Sequence, residues 1–427
     1  MTIISVENDF VLRDISNILS IDDFNKLFLV IQNNKNINEH IIDTKFQSVE
    51  KSVLKHRKIK HIIHSSEFTE SMAYDVTDTA ISMALDFIKY GIFANDLLAH
   101  NFTFENGKWI LYDFCSFSYN KKGLRAQIRS TFYISFAAFE LMKIIKRNKL
   151  KHYFLNRIKY SRLIKMISFF NWTKWYLCME FILLLLSLNF SGTALIFMKK
   201  IFDIYNNKHK RNVYKFVTDE EKKKIYELID NLLSENSDVF CVGKFSGDWA
   251  LFSKIPAYKV FYTDNYELCD NYYNFIIQNN IKNISPAVLQ PLSNDEALCD
   301  NLKYRALYDD YTKQRFASDT ILIDFDEVYD EKYKSPDEFC SVISDYAKNC
   351  IIIKLSKNKI LLKQLSTTIK KYFKFIESIE LKENYLLSAK CNTSSVKLKN
   401  ISYYGNDNRA KEQKKQCNAI IKLIKNN

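Results

Sequence analysis

Between residues 237 and 390, short apolar runs alternate with helical stretches, and this alternation constrains the fold more than any other feature of the 427-residue chain. The runs are VFCVG (Val239–Gly243), KVFYTD (Lys259–Asp264), TILIDF (Thr320–Phe325) and CIIIKL (Cys350–Leu355). Strands separated by helices imply a mostly parallel sheet, because a parallel pair needs a long crossover between its members. The closing segment FKFIESIELKENYLLSAKC carries two more β-like runs on either side of Leu381-Lys382-Glu383-Asn384. It reads as an antiparallel terminal hairpin. The expected class is α/β.

The rest of the chain reads differently. Residues 1–120 mix short alternating β-like runs with one good helix, Val76–Tyr90, whose apolar Ala80, Ile81, Ala84, Leu85 and Ile88 fall at helical spacing before a stop at Gly91. The pair FTFEN/WILYDF is expected to form a hairpin turning at Asn106-Gly107. Residues 125–232 read as all-helical, with an acidic helix start at Thr218-Asp219-Glu220. At roughly 100–200 residues per domain the length suits two or three units. The expected division is 1–124, 125–232, 233–400 and a basic tail over 401–427.

The formal charge is +13, but the Lys and Arg residues are scattered and follow no stripe. This argues against nucleic acid as a partner. Nine cysteines include no CxxC pair, which fits reduced, buried thiols in a cytoplasmic protein rather than a zinc site or a disulfide framework. No metal site is expected. The apolar segment Tyr176–Met198 is interrupted by Glu180, Asn189, Ser191, Gly192 and Thr193. It is expected to be a buried helix or helix pair and not a membrane span, with peripheral membrane contact left open.

Two constellations carry chemistry. In Ile92–Phe117, Asp96 and Asn101 stand in the order D-x-x-x-x-N, and Asp113-Phe114 follows. Phosphotransferases of the kinase type use this order to place an acceptor hydroxyl and hold Mg²⁺ against ATP. Cys115 stands where that motif has glycine, no His-Arg precedes Asp96, and no Gly-rich loop lies upstream. A hairpin preceded by an Asp/Asn turn explains the same residues. Further along, the strand VFCV leads into Gly243-Lys244-Phe245-Ser246-Gly247, and Asp264 ends the next strand. A Rossmann-type turn needs glycine where a ligand approaches the backbone, and an acid at the second strand's end can accept from both ribose hydroxyls. A Rossmann-like core with a glycine turn and a solvated Asp remains the other reading. Asp324, Asp326 and Glu327 follow a strand and could act as a base, bind a cationic group, or form a charged loop. None of the seven histidines lies in this α/β region, so it supplies no imidazole base of its own.

Residues 56–117, HRKIKHIIHSSEFTESMAYDVTDTAISMALDFIKYGIFANDLLAHNFTFENGKWILYDFCSF, resemble a bacterial family that joins a degenerate kinase-like region to a class I S-adenosylmethionine-dependent methyltransferase domain. Its members are often encoded with surface polysaccharide or nodulation functions. The resemblance implies a kinase-like α+β region, a helical middle and a Rossmann-like methyltransferase domain. It matches Asp96, Asn101 and Asp113 to the kinase-like positions, and Gly243, Gly247, Asp264 and Gln290 to positions around the cofactor. The sequence departs from the family at Cys241 for an Asp, Gln290 for an adenine-side Asp, Val328-Tyr329 for a His-His pair and Lys354 for a Glu. No catalytic residue is assigned. Three functions are compatible with these residues. The first is a methyltransferase using S-adenosylmethionine on a glycan or small-molecule acceptor. The second is an inactive methyltransferase fold serving as a scaffold for a protein partner. The third is an ATP- and Mg²⁺-dependent phosphotransferase.

Overall fold

A computed structural model describes residues 2–6, 10–15, 20–48, 52–59, 61–63, 67–94, 97, 101–112, 117–119, 220–233, 237–263, 265–288, 318–329, 335–344 and 346–390, with isolated positions between 181 and 211. Nearly all of the region 125–219, and the tail after 390, therefore lie outside the described residues.

The N-terminal strands β1 (Thr2–Val6), β2 (Phe10–Asp14), β3 (Thr44–Ser48) and β4 (Val53–Arg57) form an antiparallel sheet in the order β1-β2-β4-β3. Between β2 and β3 run α1 (Ile21–Asn33) and the single turn α2 (Lys35–Asn38). Helix α1 adds to the one helix expected from the sequence here. Its start is set by Ser20, whose hydroxyl accepts from the Asp23 amide, and by Asp22 and Asp23 in the first turn. It buries Phe24, Leu27 and Ile31.

The expected helix becomes α3 (Glu70–Lys89), which begins six residues before Val76 because Thr69 caps it and accepts from the Met72 amide. It ends, as expected, just before Gly91, whose φ of 69° breaks the helical path. After β5 (Phe93–Ala94), the strands β6 (Phe102–Glu105) and β7 (Lys108–Leu111) form the expected hairpin, and β8 (Phe117–Ser118) pairs with β5. Asn106 and Gly107 both take positive φ, 52° and 75°, which gives the turn the twist of its strands. Of the apolar segment near residues 176–198, the described positions are helical. Phe181, Leu184 and Ile196 are exposed while Ala194 is buried, so that stretch is not wholly buried. Among the described residues no helix is long and apolar enough to cross a membrane.

Helix α4 (Glu220–Leu232) leads into the C-terminal unit. Its elements are β9 (Val239–Val242), α5 (Lys244–Phe252), β10 (Lys259–Thr263), α6 (Tyr266–Gln278), β11 (Ile284–Val288), β12 (Ser318–Asp324), the short α7 (Phe325–Val328), α8 (Pro336–Ser344), β13 (Ala347–Ser356), α9 (Lys359–Ile369), β14 (Phe375–Glu380) and β15 (Asn384–Lys390). The sheet order is β11-β10-β9-β12-β13-β15-β14. The first five strands run parallel, and β15 runs antiparallel to both β13 and β14. Numbered within the unit this is 3-2-1-4-5-7-6, a doubly wound sheet closed by the expected terminal hairpin. It is a mixed α/β fold with a mostly parallel seven-stranded sheet.

Strand β11 is the one strand of this sheet not anticipated in the sequence. Pro286 sits inside it, and proline is tolerated only where a ladder donor can be spared. Among the described residues β11 is the sheet's edge, paired with β10 alone. The hairpin β6-β7 packs against it: the Ser285 hydroxyl donates to the Phe104 carbonyl at 2.8 Å. That packing covers an edge that would otherwise invite pairing with another chain.

One buried core runs continuously from Ile15 to Ala389, so the N-terminal elements and the C-terminal sheet pack together. A chain of polar contacts crosses the contact between them. The Trp109 indole N–H donates to the Tyr273 hydroxyl at 2.9 Å, and that hydroxyl donates to Asp75 at 2.7 Å. Arg211 donates to both oxygens of Asp75. Burial, reinforced by the Asp75 charge, pushes the Tyr273 pKa well up, so the phenol stays a donor. Tyr273→Phe is expected to leave the Trp109 N–H buried without an acceptor. The expected loss is about 1–3 kcal/mol, read as a lower urea midpoint at an unchanged slope.

Candidate functional site

In a doubly wound sheet the crevice opens at the carboxyl ends of the strands where the order reverses. Here that point lies between β9 and β12, which are parallel neighbours with Val242 opposite Ile323. Gly243, just after β9, and Asp324, the last residue of β12, meet there.

Gly243 has φ 91° and ψ 166°, a conformation glycine adopts freely and other residues rarely do. A Cβ built there would lie 3.0 Å from the Asp324 Cβ and 3.2 Å from a carboxylate oxygen, Oε2, of Glu327. The turn therefore brings backbone and carboxylates together at the mouth of the crevice. It is held by the Gly243 amide, which donates to the Tyr262 carbonyl at 3.3 Å, and by the Ser246 hydroxyl, which donates back to the Gly243 carbonyl at 2.8 Å.

Gly247 lies in the first turn of α5 and faces inward. A Cβ there would sit 2.3 Å from the Tyr272 ring and 2.5 Å from the Phe261 ring. Its absence lets α5 approach β10 and α6, which is the packing role of a glycine in such a motif. The two glycines of one sequence signal thus have separate geometries, one at the crevice and one in the core.

The start of α5 presents its amides to carboxylates of the chain itself. Lys244 N–H donates to Glu327 Oε2 at 2.5 Å, and the Phe245 amide donates to Asp324. Asp324 is buried, and burial raises its pKa above the ordinary carboxylate value against the opposing pull of Lys354. Lys354 Nζ is 3.0 Å from Asp324 and 3.4 Å from Asp326, and it lies 5.6 Å from the centroid of the Phe245 ring. Asp326 also accepts from the Ser356 amide and hydroxyl, both at 2.8 Å. Lys354, which stands where the family resemblance implies Glu, is therefore a member of this mouth.

Of the other departures, Cys241, Val328 and Tyr329 are among the described residues. Cys241 is fully buried within β9, and burial pushes its thiol pKa far up, so it is a packed, unreactive group. Val328 is buried, and Tyr329 stacks on Phe325 at 4.5 Å between ring centroids. Asn101 is buried at the start of β6, where its carbonyl accepts from the Tyr112 amide. Asp96, Asp113, Asp264 and Gln290 lie outside the described residues. Among the described residues no group of His, Cys, Asp and Glu is arranged to hold a metal.

In the sequence the carboxylate cluster read as acids following a strand, which could act as a base, bind a cationic group or form a charged loop. Its contact with the glycine turn follows from β9 and β12 being neighbours. Reading DFDE together with GKFSG would have required the strand order.

No family model matches the chain, and no curated protein matches it. Solved structures with partial likeness include EvdMO1, at 10% identity over 44% of this chain and 45% of that one, with a TM-score of 0.30. The T. thermophilus 16S rRNA N2 G1207 methyltransferase, in complex with AdoMet and guanosine, is 12% identical over 41% of this chain and 44% of its own, with a TM-score of 0.27. A SAM-dependent methyltransferase from Aquifex aeolicus is 11% identical over 42% of this chain and 100% of its own, with a TM-score of 0.28. The chain spans less than half the length of the first two. The fold assignment rests on the strand order of the sheet and on the terminal antiparallel pair.

Proposed function

We propose that the chain is an S-adenosylmethionine-dependent methyltransferase acting on a surface glycan or a related small molecule in the cytoplasm. The observation that carries this is Gly243: a positive-φ glycine at the strand-order reversal of a 3-2-1-4-5-7-6 sheet, at the mouth of the crevice. Asp264, next in sequence after the end of β10, is the residue proposed to accept from the cofactor ribose, with Gln290 on the adenine side. The glycan acceptor is proposed on the family resemblance of residues 56–117. The reaction would move a methyl from sulfonium to an acceptor hydroxyl or amine held in line with it.

A second reading, an inactive fold that binds a partner, is favoured by one observation. The first amides of α5 are already taken by Glu327 and Asp324. The kinase-like reading has no support among the described residues.

Calorimetric titration with S-adenosylmethionine separates these. The methyltransferase reading expects saturable binding, weakened at least about tenfold in Asp264→Ala by loss of hydrogen bonds to the ribose. Absence of heat with S-adenosylmethionine, alongside a stable partner in pull-downs, would leave the scaffold reading. Heat with ATP–Mg²⁺ that disappears in Asp113→Ala would instead establish a phosphotransferase.

A further inference from the structure

The net charge of +13 is unevenly placed along the chain. Lys and Arg occur throughout, but acids are nearly missing from residues 121–215, which hold 20 Lys and Arg against 3 Asp and Glu (Glu140, Glu180 and Asp203). The rest of the chain holds 42 against 46. The whole positive excess therefore belongs to one region, and a remainder at −4 can neutralise little of its +17. Inside this region lies a stretch without charge: Phe181–Met198 contains no Lys, Arg, Asp or Glu. Its described positions are helical, and Phe181, Leu184 and Ile196 are 46%, 52% and 52% exposed. The Phe181 and Phe197 rings are 5.1 Å apart, so the two helical pieces meet. Just beyond them the chain is fastened to the N-terminal unit, where Lys199 pairs with Asp78 of α3 and Arg211 with Asp75. Three large apolar side chains left in water on one uncharged stretch mark a contact surface.

We propose that this surface docks onto an anionic phospholipid bilayer, with Phe181, Leu184 and Ile196 entering the interface and the flanking Lys and Arg meeting lipid phosphates. Apolar side chains bury themselves at the headgroup boundary while basic neighbours are drawn to the negative surface, and the two attractions add. The flanks supply that complement: ten Lys and Arg and no acid lie between Glu140 and Glu180, and Lys200 is exposed directly after the uncharged stretch. Trp172, Trp175 and Tyr176 stand just ahead of Phe181, and such side chains settle at headgroup level. Leu184 and Ile196 have no π face on which a base could stack, which favours lipid over nucleic acid as the occupant. The proposal is independent of the reaction performed at the crevice.

The experiment is co-sedimentation of the full chain with vesicles of phosphatidylcholine alone and with vesicles containing about one quarter phosphatidylserine. The chain is expected to pellet with the second and not with the first, and to bind at least about tenfold more weakly at ~1 M salt, where surface charge is screened within ~3 Å. The double substitution Leu184→Ser with Ile196→Ser is expected to weaken binding about tenfold or more, because two side chains no longer leave water. Both positions are exposed, so the thermal midpoint should stay within about 2 °C of the wild type. Equal binding by wild type and variant, or binding that ignores lipid charge, would overturn the proposal.

A second measurement needs no variant. The chain has 4 tryptophans, and Trp109 and Trp249 are buried, so lipids brominated in their acyl chains report on Trp172 and Trp175. Quenching by brominated phosphatidylserine-containing vesicles is the expected result. A chain that pellets with these vesicles and is not quenched would be held by charge alone, and the apolar docking would be wrong. Binding to a single-stranded oligonucleotide in place of either vesicle would assign the basic region to nucleic acid. Retention in cell membranes through alkaline carbonate extraction would make the apolar stretch a span and overturn the docking equally.

Discussion

Gly247→Ala is expected to destabilise the protein by about 2–4 kcal/mol, although alanine is the better helix former by about 1 kcal/mol. The added methyl would meet the Tyr272 ring at 2.3 Å and the Phe261 ring at 2.5 Å. Neither ring can simply turn away. Phe261 sits mid-strand in β10 between β9 and β11, and Tyr272 is anchored by its hydroxyl to Asp248. Helix α5 would have to lift from the sheet, taking the Lys244 and Phe245 amides away from Glu327 and Asp324. Thermal unfolding should therefore fall by roughly 2–5 °C, and any ligand of the crevice should bind more weakly in the same variant. A midpoint within a degree of the wild type would mean that the core accommodates the methyl, and the packing role assigned to Gly247 would be wrong.

Acid should unfold the protein through His56. The imidazole is buried in β4, and burial, with the nearby Arg13 charge, depresses its pKa from 6.5 to about 3. The Thr44 hydroxyl donates to the Ile42 carbonyl at 2.7 Å, so at 2.7 Å it serves His56 Nδ1–H as acceptor, which fixes the neutral tautomer. In the unfolded chain the ring takes up its proton near pH 6.5, while in the fold it does so only near pH 3. Stability from this group is thus complete above pH 6.5 and is lost as pH falls from there toward 3. The full loss approaches about 4–5 kcal/mol. Urea unfolding followed from pH 7 to pH 4 should show this slope. His56→Asn, whose amide can still donate to Thr44, should flatten it. Parallel pH profiles for the two proteins would remove His56 as the cause.

Much of the C-terminal architecture was legible because its signals are local. Four strands and the terminal hairpin announced themselves as apolar runs broken by turn residues, and Asn106-Gly107 specified its own turn through positive φ. The residues that failed to announce themselves did so for identifiable reasons. Pro286 disguised β11, since the sequence does not say that its strand is an edge. Ser20 and Asp23 started α1 through a cap that a search for apolar periodicity passes over. Thr69 moved the start of α3 back by six residues in the same way.

The sequence by itself determined six of the seven strands of the C-terminal sheet, that these strands run mostly parallel, and that glycine stands at positions 243 and 247. The tertiary structure alone decided what those glycines do. One faces a crevice and the other an aromatic core, because Gly243 stands before α5 in a positive-φ turn while Gly247 lies within the helix against β10 and α6. It also decided that Glu327 meets the Lys244 amide, 83 residues away in sequence. Which strands become neighbours is set by how the whole set of apolar faces packs, and no local propensity encodes it. The crevice between β9 and β12, with the carboxylates that close it, exists only once that packing is complete.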